Sequence, residues 1–340
     1  MNEPQADALR VDGGSTDAEV REMLDHILVP LDGSHVAECV LPHAIALARA
    51  FDARVTLLRV VAQTRTAGLG RTIDPLRWHM RKTETESYLE DVGTRLQDAG
   101  LPTEEVTLEG QAADGVIEFA HGHDADLILL SSHGQSGLSK WNISSVVQKV
   151  ILRAYMPVMV VRAYRAISND LTNLRYGQVL VPLDGSQRAE CVLPLASQLA
   201  CFHDARLLLA HAVGRPETPR HTPLTEEEAE LVDRITEYNR LEATRYLEGL
   251  KDRLECDVEL RLLESEDTAV ALHNLVEQEG VDLVALSAHG YTSTTRWLYG
   301  SMALNFIAYG TTPLLVVQDM TPEELKQTQA EMAAQESKGH

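Results

Sequence analysis

One carboxylate, a few glycines and a run of hydroxyl side chains recur in this chain at spacings suited to holding a small anionic ligand. Leu183-Asp184-Gly185-Ser186 follows a short apolar run that includes Pro182, and Leu286-Ser287-Ala288-His289-Gly290 closes another. From Gly290 a loop rich in Ser and Thr leads to Gly300-Ser301-Met302, where an apolar segment of helical length begins. Glycine lets backbone N–H groups approach a ligand closely, and a hydroxyl-rich loop feeding a helix N-terminus offers phosphate both donors and a favourable dipole. The same set occurs earlier as Pro30, Asp32, Gly33 and Ser34, then Leu130, Ser131 and Gly134, then Ser144-Ser145 at the spacing of Gly300-Ser301. Ser144 stands where the later set has Gly300. If that position needs positive φ or close approach to a phosphate, the earlier site is the weaker.

The recurrence belongs to a duplication. Residues His26 to Val61 return as Gln178 to Val213, and Asp126 to Gly134 return as Asp282 to Gly290. A repeat of about 150 residues is too long for a solenoid, whose units run about 20 to 50 residues, so each copy is expected to bury its own core. Within each copy, short, nearly continuous apolar runs alternate with amphipathic stretches, which predicts parallel strands covered on both faces by helical crossovers. The predicted strands are 27–31, 55–61, 105–109, 126–131 and 157–161, then 179–183, 207–213, 258–263, 282–287 and 313–317. The fold class is therefore α/β, two tandem doubly wound domains, each with a five-stranded parallel sheet. With strand order 3-2-1-4-5, ligands bind at the switch point between strands 1 and 4, where the two best-preserved segments converge.

Capping residues place the helices. Ser34 and Ser186 sit where N-caps are needed after the first strands, and Asp74-Pro75 and the Thr225 to Glu228 capping box open the second helices. Pro42 and Pro194 fall inside the first helix of each copy, where a missing N–H predicts a bend. The expected organisation is a flexible tail over 1–24, a first domain over 25–163, a linker over 164–175, a second domain over 176–318 and a C-terminal helix and tail over 319–340.

A formal charge of −21 over 340 residues excludes a nucleic-acid partner, which requires a basic face, but allows a small anion held by local N–H groups. No signal peptide and no apolar run of about 18 residues is present, so a cytoplasmic protein with no membrane partner is expected. The four cysteines, Cys39, Cys191, Cys201 and Cys256, lack a CxxC spacing and read as buried free thiols. Neither Gly-x4-Gly-Lys-Ser/Thr nor GxGxxG occurs, leaving P-loop hydrolysis and dinucleotide binding unsupported.

The chain resembles the universal stress protein family in its tandem form, over about 280 residues and both copies. The resemblance rests on Pro30 and Asp32, Pro182 and Asp184, the Ala-Glu-x-x-Leu-Pro segments 37–42 and 189–194, the Asp-Leu opening of the fourth strand, and the final Pro-Val or Pro-Leu strand. It implies an adenine nucleotide alpha hydrolase-like fold. ATP-binding members carry Gly-x2-Gly-x9-Gly-Ser/Thr; the second copy reads Ser287-x2-Gly290-x9-Gly300-Ser301 and departs at one glycine, while the first departs at two, Ser131 and Ser144. By this resemblance the second site comprises Pro182, Asp184, Val213, Leu286, Ser287, Gly290, Gly300, Ser301 and Met302, with Asp184 toward adenosine and Gly290, Gly300 and Ser301 toward phosphates. The weaker candidate comprises Pro30, Asp32, Val61, Leu130, Ser131, Gly134, Ser144 and Ser145. ATP is the expected cofactor, with or without Mg2+, and neither a tightly bound metal nor flavin is expected. The family's habit of pairing domains through the last strand implies a pseudo-dimer within the chain, and a homodimer and an unidentified protein partner are compatible with it.

Simpler readings compete. Asp184 can cap the turn before Gly185, His133 and His289 can pack their loops, His121-Gly-His123 reads as a solvated helix end, and Trp141 and Trp297 as loop anchors. The leading functional expectation is a nucleotide-responsive stress protein whose occupancy changes its interactions rather than driving turnover. The alternatives are a ligand-free interaction module and a slow ATP-hydrolysing enzyme.

Overall fold

The inner apolar runs form strands buried on both faces, while the two edge strands, 103–109 and 258–264, are only partly buried. In the computed structural model the first half runs β1 (His26–Pro30), α1 (Leu41–Phe51), β2 (Arg54–Val61), α2 (Pro75–Asp98), β3 (Thr103–Glu109), α3 (Ala112–Gly122), β4 (Leu127–Ser131), α4 (Ser145–Ala154) and β5 (Val158–Val161). The second half repeats the order as β6 (Gln178–Leu183), α5 (Leu193–His203), β7 (Arg206–Val213), α6 (Glu226–Lys251), β8 (Val258–Glu264), α7 (Thr268–Glu279), β9 (Leu283–Ser287), α8 (Ser301–Tyr309) and β10 (Leu314–Val317). The structure describes residues 24–62, 75–134, 143–163, 171–214, 225–291 and 299–319. Expected features at 1–23, Asp74, Trp141, residues 164–170, Trp297 and 320–340 lie outside them.

Each half is a parallel sheet of order 3-2-1-4-5, and the two join into one ten-stranded sheet, β3-β2-β1-β4-β5-β10-β9-β6-β7-β8. The junction is antiparallel: Val158 pairs with Val316, Met159 with Leu315 and Val160 with Leu314. The expected pairing through the last strands is thus made within the chain. Separate cores are not: two apolar layers, one on each face, continue across both halves, one built around Ile27, Leu57, Val179 and Leu209, the other around Leu28, Leu58, Leu180 and Leu208. Joining the sheets edge to edge merges the cores that each half alone would have had to close.

Local interactions explain several repeated residues. Asp126 Oδ2 accepts from the backbone N–H groups of Asp25 and His26, both at 2.9 Å, and Asp282 Oδ2 accepts from Gly177 at 2.8 Å and Gln178 at 3.1 Å. The aspartate before the fourth strand therefore fixes the entry of the first. Ser186 caps the one-turn helix Gln187–Glu190 by accepting from Ala189 N–H, and Ser34 accepts from Ala37 N–H in the same place. The Thr225–Glu228 capping box forms with both of its hydrogen bonds. Pro42 and Pro194 do not bend a helix. A one-turn segment, Ala37–Val40 or Gln187–Glu190, ends first, and each proline occupies the opening turn of α1 or α5, where no N–H partner is lost.

The halves also meet through α1 and α5. Tyr176, 1% exposed, hydrogen-bonds His43 Nδ1 at 2.7 Å and stands edge-on to His203, with ring centres 5.0 Å apart. Both ring nitrogens of His203 are buried and have no hydrogen-bond partner among the described residues. Burial, and secondarily the charge of Arg175, hold its pKa below the ordinary 6.5. A histidine depressed in the folded state binds protons more readily when unfolded, so its contribution to stability is present above its unfolded pKa and is lost as pH falls through and below that value. Unfolding by urea should show stability declining from pH 7 toward pH 5, with a shallower decline in His203→Phe; an unchanged slope in that variant contradicts the assignment.

Candidate functional site

The switch point lies where β6 leaves its neighbour β9, and the loops leaving their carboxyl ends are tied by one carboxylate. Asp184 Oδ1 accepts from Ser186 N–H at 3.0 Å and Ser186 Oγ at 2.6 Å, while Oδ2 accepts from Tyr291 N–H at 2.5 Å. Asp184 therefore does cap its turn, and it also clasps the loop after β9. The side chain remains exposed, and Oδ2, which accepts one hydrogen bond where Oδ1 accepts two, has a second lone pair for a ligand. The clasp explains Gly290. A methyl group there would overlap the Asp184 carboxylate, just as one at Gly134 would overlap Asp32.

Gly300 returns to the same place: its N–H donates to the Ala288 carbonyl at 2.7 Å, so the N-terminus of α8 opens beside the β9 loop. The result is a cavity of about 760 Å³, within the usual range for small-ligand sites. Of the sequence-predicted residues, Pro182, Asp184, Leu286, Ser287, Gly290, Gly300, Ser301 and Met302 line it together. Val213 does not; it lines a neighbouring groove of about 480 Å³ with Glu237, Arg240 and Glu264.

Sequence reading missed Ala210, Ala212, Thr268, Leu272 and Tyr299, which also line the cavity. The alanines carried a legible signal. Ala210 pairs with Pro182 as Leu58 pairs with Pro30, so small side chains in the second half stand where the first has larger ones, Leu58 and, two residues on, Val60. Leu58 is fully buried, and Val60 packs against the same apolar layer. Tyr299 is buried and donates to the Ile151 carbonyl of α4 at 3.1 Å, binding the cavity wall to the first half; burial drives its pKa far upward.

At the cavity wall, which His289 helps to line, lies a buried charged group that has no counterpart among the described residues of the first half. His289 Nδ1 meets Asp319 Oδ1 at 2.7 Å, and Arg188 reaches Asp319 Oδ2 at 3.1 Å, with the His289 and Asp319 side chains almost wholly buried. In the first half Ser132 Oγ, which receives the Ala163 N–H at 3.1 Å, lies 3.0 Å from His133 Nδ1. Both histidines thus pack their loops, one against a carboxylate and one against a hydroxyl. Burial raises Cys191, which also touches Ser287, to about 11, and lowers His211 beside the Asp184 turn.

The halves differ most at α8 and α4. Gly300 has φ −68° and ψ 168°, and Ser144 φ −63° and ψ 155°. Positive φ is therefore not what distinguishes them. Ser144 Oγ caps α4 by accepting from Val147 N–H at 3.2 Å, whereas Gly300 at the N-cap of α8 has no side chain, and no side chain among the described residues caps that helix. In the first half Asp32 accepts from Ser34 as Asp184 does from Ser186, and Ser131 Oγ donates to the His133 carbonyl at 2.7 Å. Pro30, Val61 and Gly134 are partly exposed, Leu130 is buried and Ser145 is exposed.

The Universal stress protein family model matches residues 23–162 and again 175–318. The chain belongs to the universal stress protein family. A universal stress protein of Methanocaldococcus jannaschii is 34% identical over 137 residues, 40% of this chain and 81% of the relative. The crystal structure of a universal stress protein from Archaeoglobus fulgidus covers 87% of this chain and 98% of its own at a TM-score of 0.61 and 18% identity, a likeness of fold. Another from the same organism, solved in complex with dAMP, covers 40% of this chain and 96% of its own at 25% identity and a TM-score of 0.31.

The clasp is testable in this universal stress protein without any ligand. Gly290→Ala should destabilise it by about 1–3 kcal/mol in urea unfolding through overpacking against Asp184. Adding Asp184→Ala should recover part of that loss; two losses that simply add contradict the contact.

Proposed function

We propose that this protein is a cytoplasmic stress-response protein that binds an adenine nucleotide, ATP with Mg2+, in the cavity of its second half, and that occupancy changes its interactions rather than driving turnover. The observation that carries this reading is the uncapped N-terminus of α8 opening into a cavity whose opposite rim carries the exposed Asp184. Helix N-terminal N–H groups are natural phosphate donors, and a carboxylate suits ribose hydroxyls. The apolar walls given by Leu272, Leu286 and Met302 suit a base, and Ala210 and Ala212 leave room for it.

For the first half we favour a ligand-free role. The Ser144 hydroxyl engages the Val147 N–H that a phosphate would approach, and Leu58 fills the place of Ala210.

Gly300→Ser tests the reading because stability and affinity should move in opposite directions. A serine there would cap α8 as Ser144 caps α4, raising stability by a few tenths of a kcal/mol. It would also compete with phosphate, and calorimetry with Mg2+ and ATP should show affinity falling about tenfold, equivalent to about 1.4 kcal/mol. Unchanged affinity in a folded Gly300→Ser variant would overturn the placement of the phosphates.

A further inference from the structure

The second half also brings two cysteines together at the end of the sheet remote from the cavity. Cys201 lies in the last turn of α5 and is exposed; Cys256 lies in the segment before β8, partly buried against the core. Three features converge them. Asp204 takes the left-handed conformation, φ 54°, and turns the chain out of α5. Ala205 N–H returns to the Ala200 carbonyl at 2.8 Å, and Leu207 N–H binds the Asp257 carbonyl at 2.8 Å, setting the residue after Cys256 beside the start of β7. The two thiols are neighbours, close enough for the Cys201 side chain to raise the pKa of Cys256.

The first half shows that the fold imposes this proximity. At the place of Cys201 it has Arg49, whose guanidinium reaches across to the Ala99 carbonyl at 2.6 Å, in the segment leading to Leu101, the counterpart of Cys256. The same two chain segments are adjacent in both halves, and only the second furnishes both with sulfur.

We propose that Cys201 and Cys256 form a reversible thiol–disulfide redox site that responds to peroxides. Accessibility divides the roles. Exposed Cys201 attacks as its thiolate: a sulfur–oxygen bond forms, the peroxide O–O bond breaks, and the departing oxygen takes a proton to leave as water or an alcohol. The sulfenic acid on Cys201 is then attacked by the Cys256 sulfur. An S–S bond forms, the S–O bond breaks, and water leaves with the proton of Cys256. Two thiols have given up two electrons and the peroxide has accepted them; an external dithiol reverses the change by exchange. Burial, reinforced by the neighbouring Cys201, raises Cys256 to about 12, which keeps it a protonated partner rather than the first nucleophile. Cys39 and Cys191, both raised to about 11 by burial, serve as internal controls.

The test is peroxide treatment of the full-length native protein, followed by alkylation under denaturing conditions and peptide mass spectrometry. The expected result is an intramolecular Cys201–Cys256 cross-link, with Cys39 and Cys191 still alkylated and all four thiols restored by dithiothreitol. In Cys256→Ser, Cys201 should accumulate as sulfenic acid trapped by dimedone. Recovery of both cysteines as free thiols, or of Cys201 as sulfinic acid without a cross-link in the parent protein, overturns the proposal.

Discussion

The structure depends on the antiparallel pairing of β5 with β10. Each half ends in a four-residue apolar strand, buried along its whole length. Left at a sheet edge, such a strand would present unpaired backbone groups and apolar side chains to solvent. Pairing the two edges removes both problems and generates everything that passes between the halves. It carries both apolar layers across the junction and brings α1 against α5. It also puts Arg162, which follows β5, within reach of the C-terminal turn of α8, where its guanidinium donates to the Phe306 and Ile307 carbonyls at 2.7 and 2.9 Å. Tyr299 and Ile151 make a further link, so the wall of the second cavity is supported by the first half.

On this nearly symmetric frame the sites have diverged by substitutions that compensate locally. Where the second half has Gly300, Ala210 and Ala288, the first has Ser144, Leu58 and Ser132. Ser144 satisfies a helix N-terminus, Leu58 fills a core layer and Ser132 lies against a buried histidine. In the second half Asp319 meets the equivalent histidine and Arg188 meets Asp319. The first half has replaced open or adaptable groups with internal partners. The second keeps a cavity and an uncapped helix. Differentiation of this kind leaves the sheet untouched because these changes lie toward the carboxyl ends of strands or in the loops beyond them.

Most of the strand pattern was legible because strands buried on both faces require apolar runs that loops cannot mimic. The site is legible where the duplication repeats chemistry-bearing residues, Asp184 with Gly290 and Asp32 with Gly134, though a carboxylate clasp as the reason for the glycine requires three dimensions. Other features depended on where helices break. Pro42 and Pro194 looked internal because the one-turn segments before them merge with α1 and α5 in sequence. The family resemblance places Val213 at the site, but its position at the end of β7 turns it into the adjoining groove. The contact between Cys201 and Cys256 has no sequence signature, since it arises from the β7–β8 register and only Cys39 and Cys191 recur between the halves; the expectation of buried thiols fails at exposed Cys201.

On the proposed function, one fold used twice holds one working nucleotide site. Equilibrium dialysis of the full-length protein against radiolabelled ATP and Mg2+ measures this directly as bound nucleotide per chain. Saturation is expected at one nucleotide per chain, abolished by changes around Asp184 and unaffected by Asp32→Ala. Two equivalent sites per chain, or a single site lost on Asp32→Ala and retained on Asp184→Ala, would contradict it.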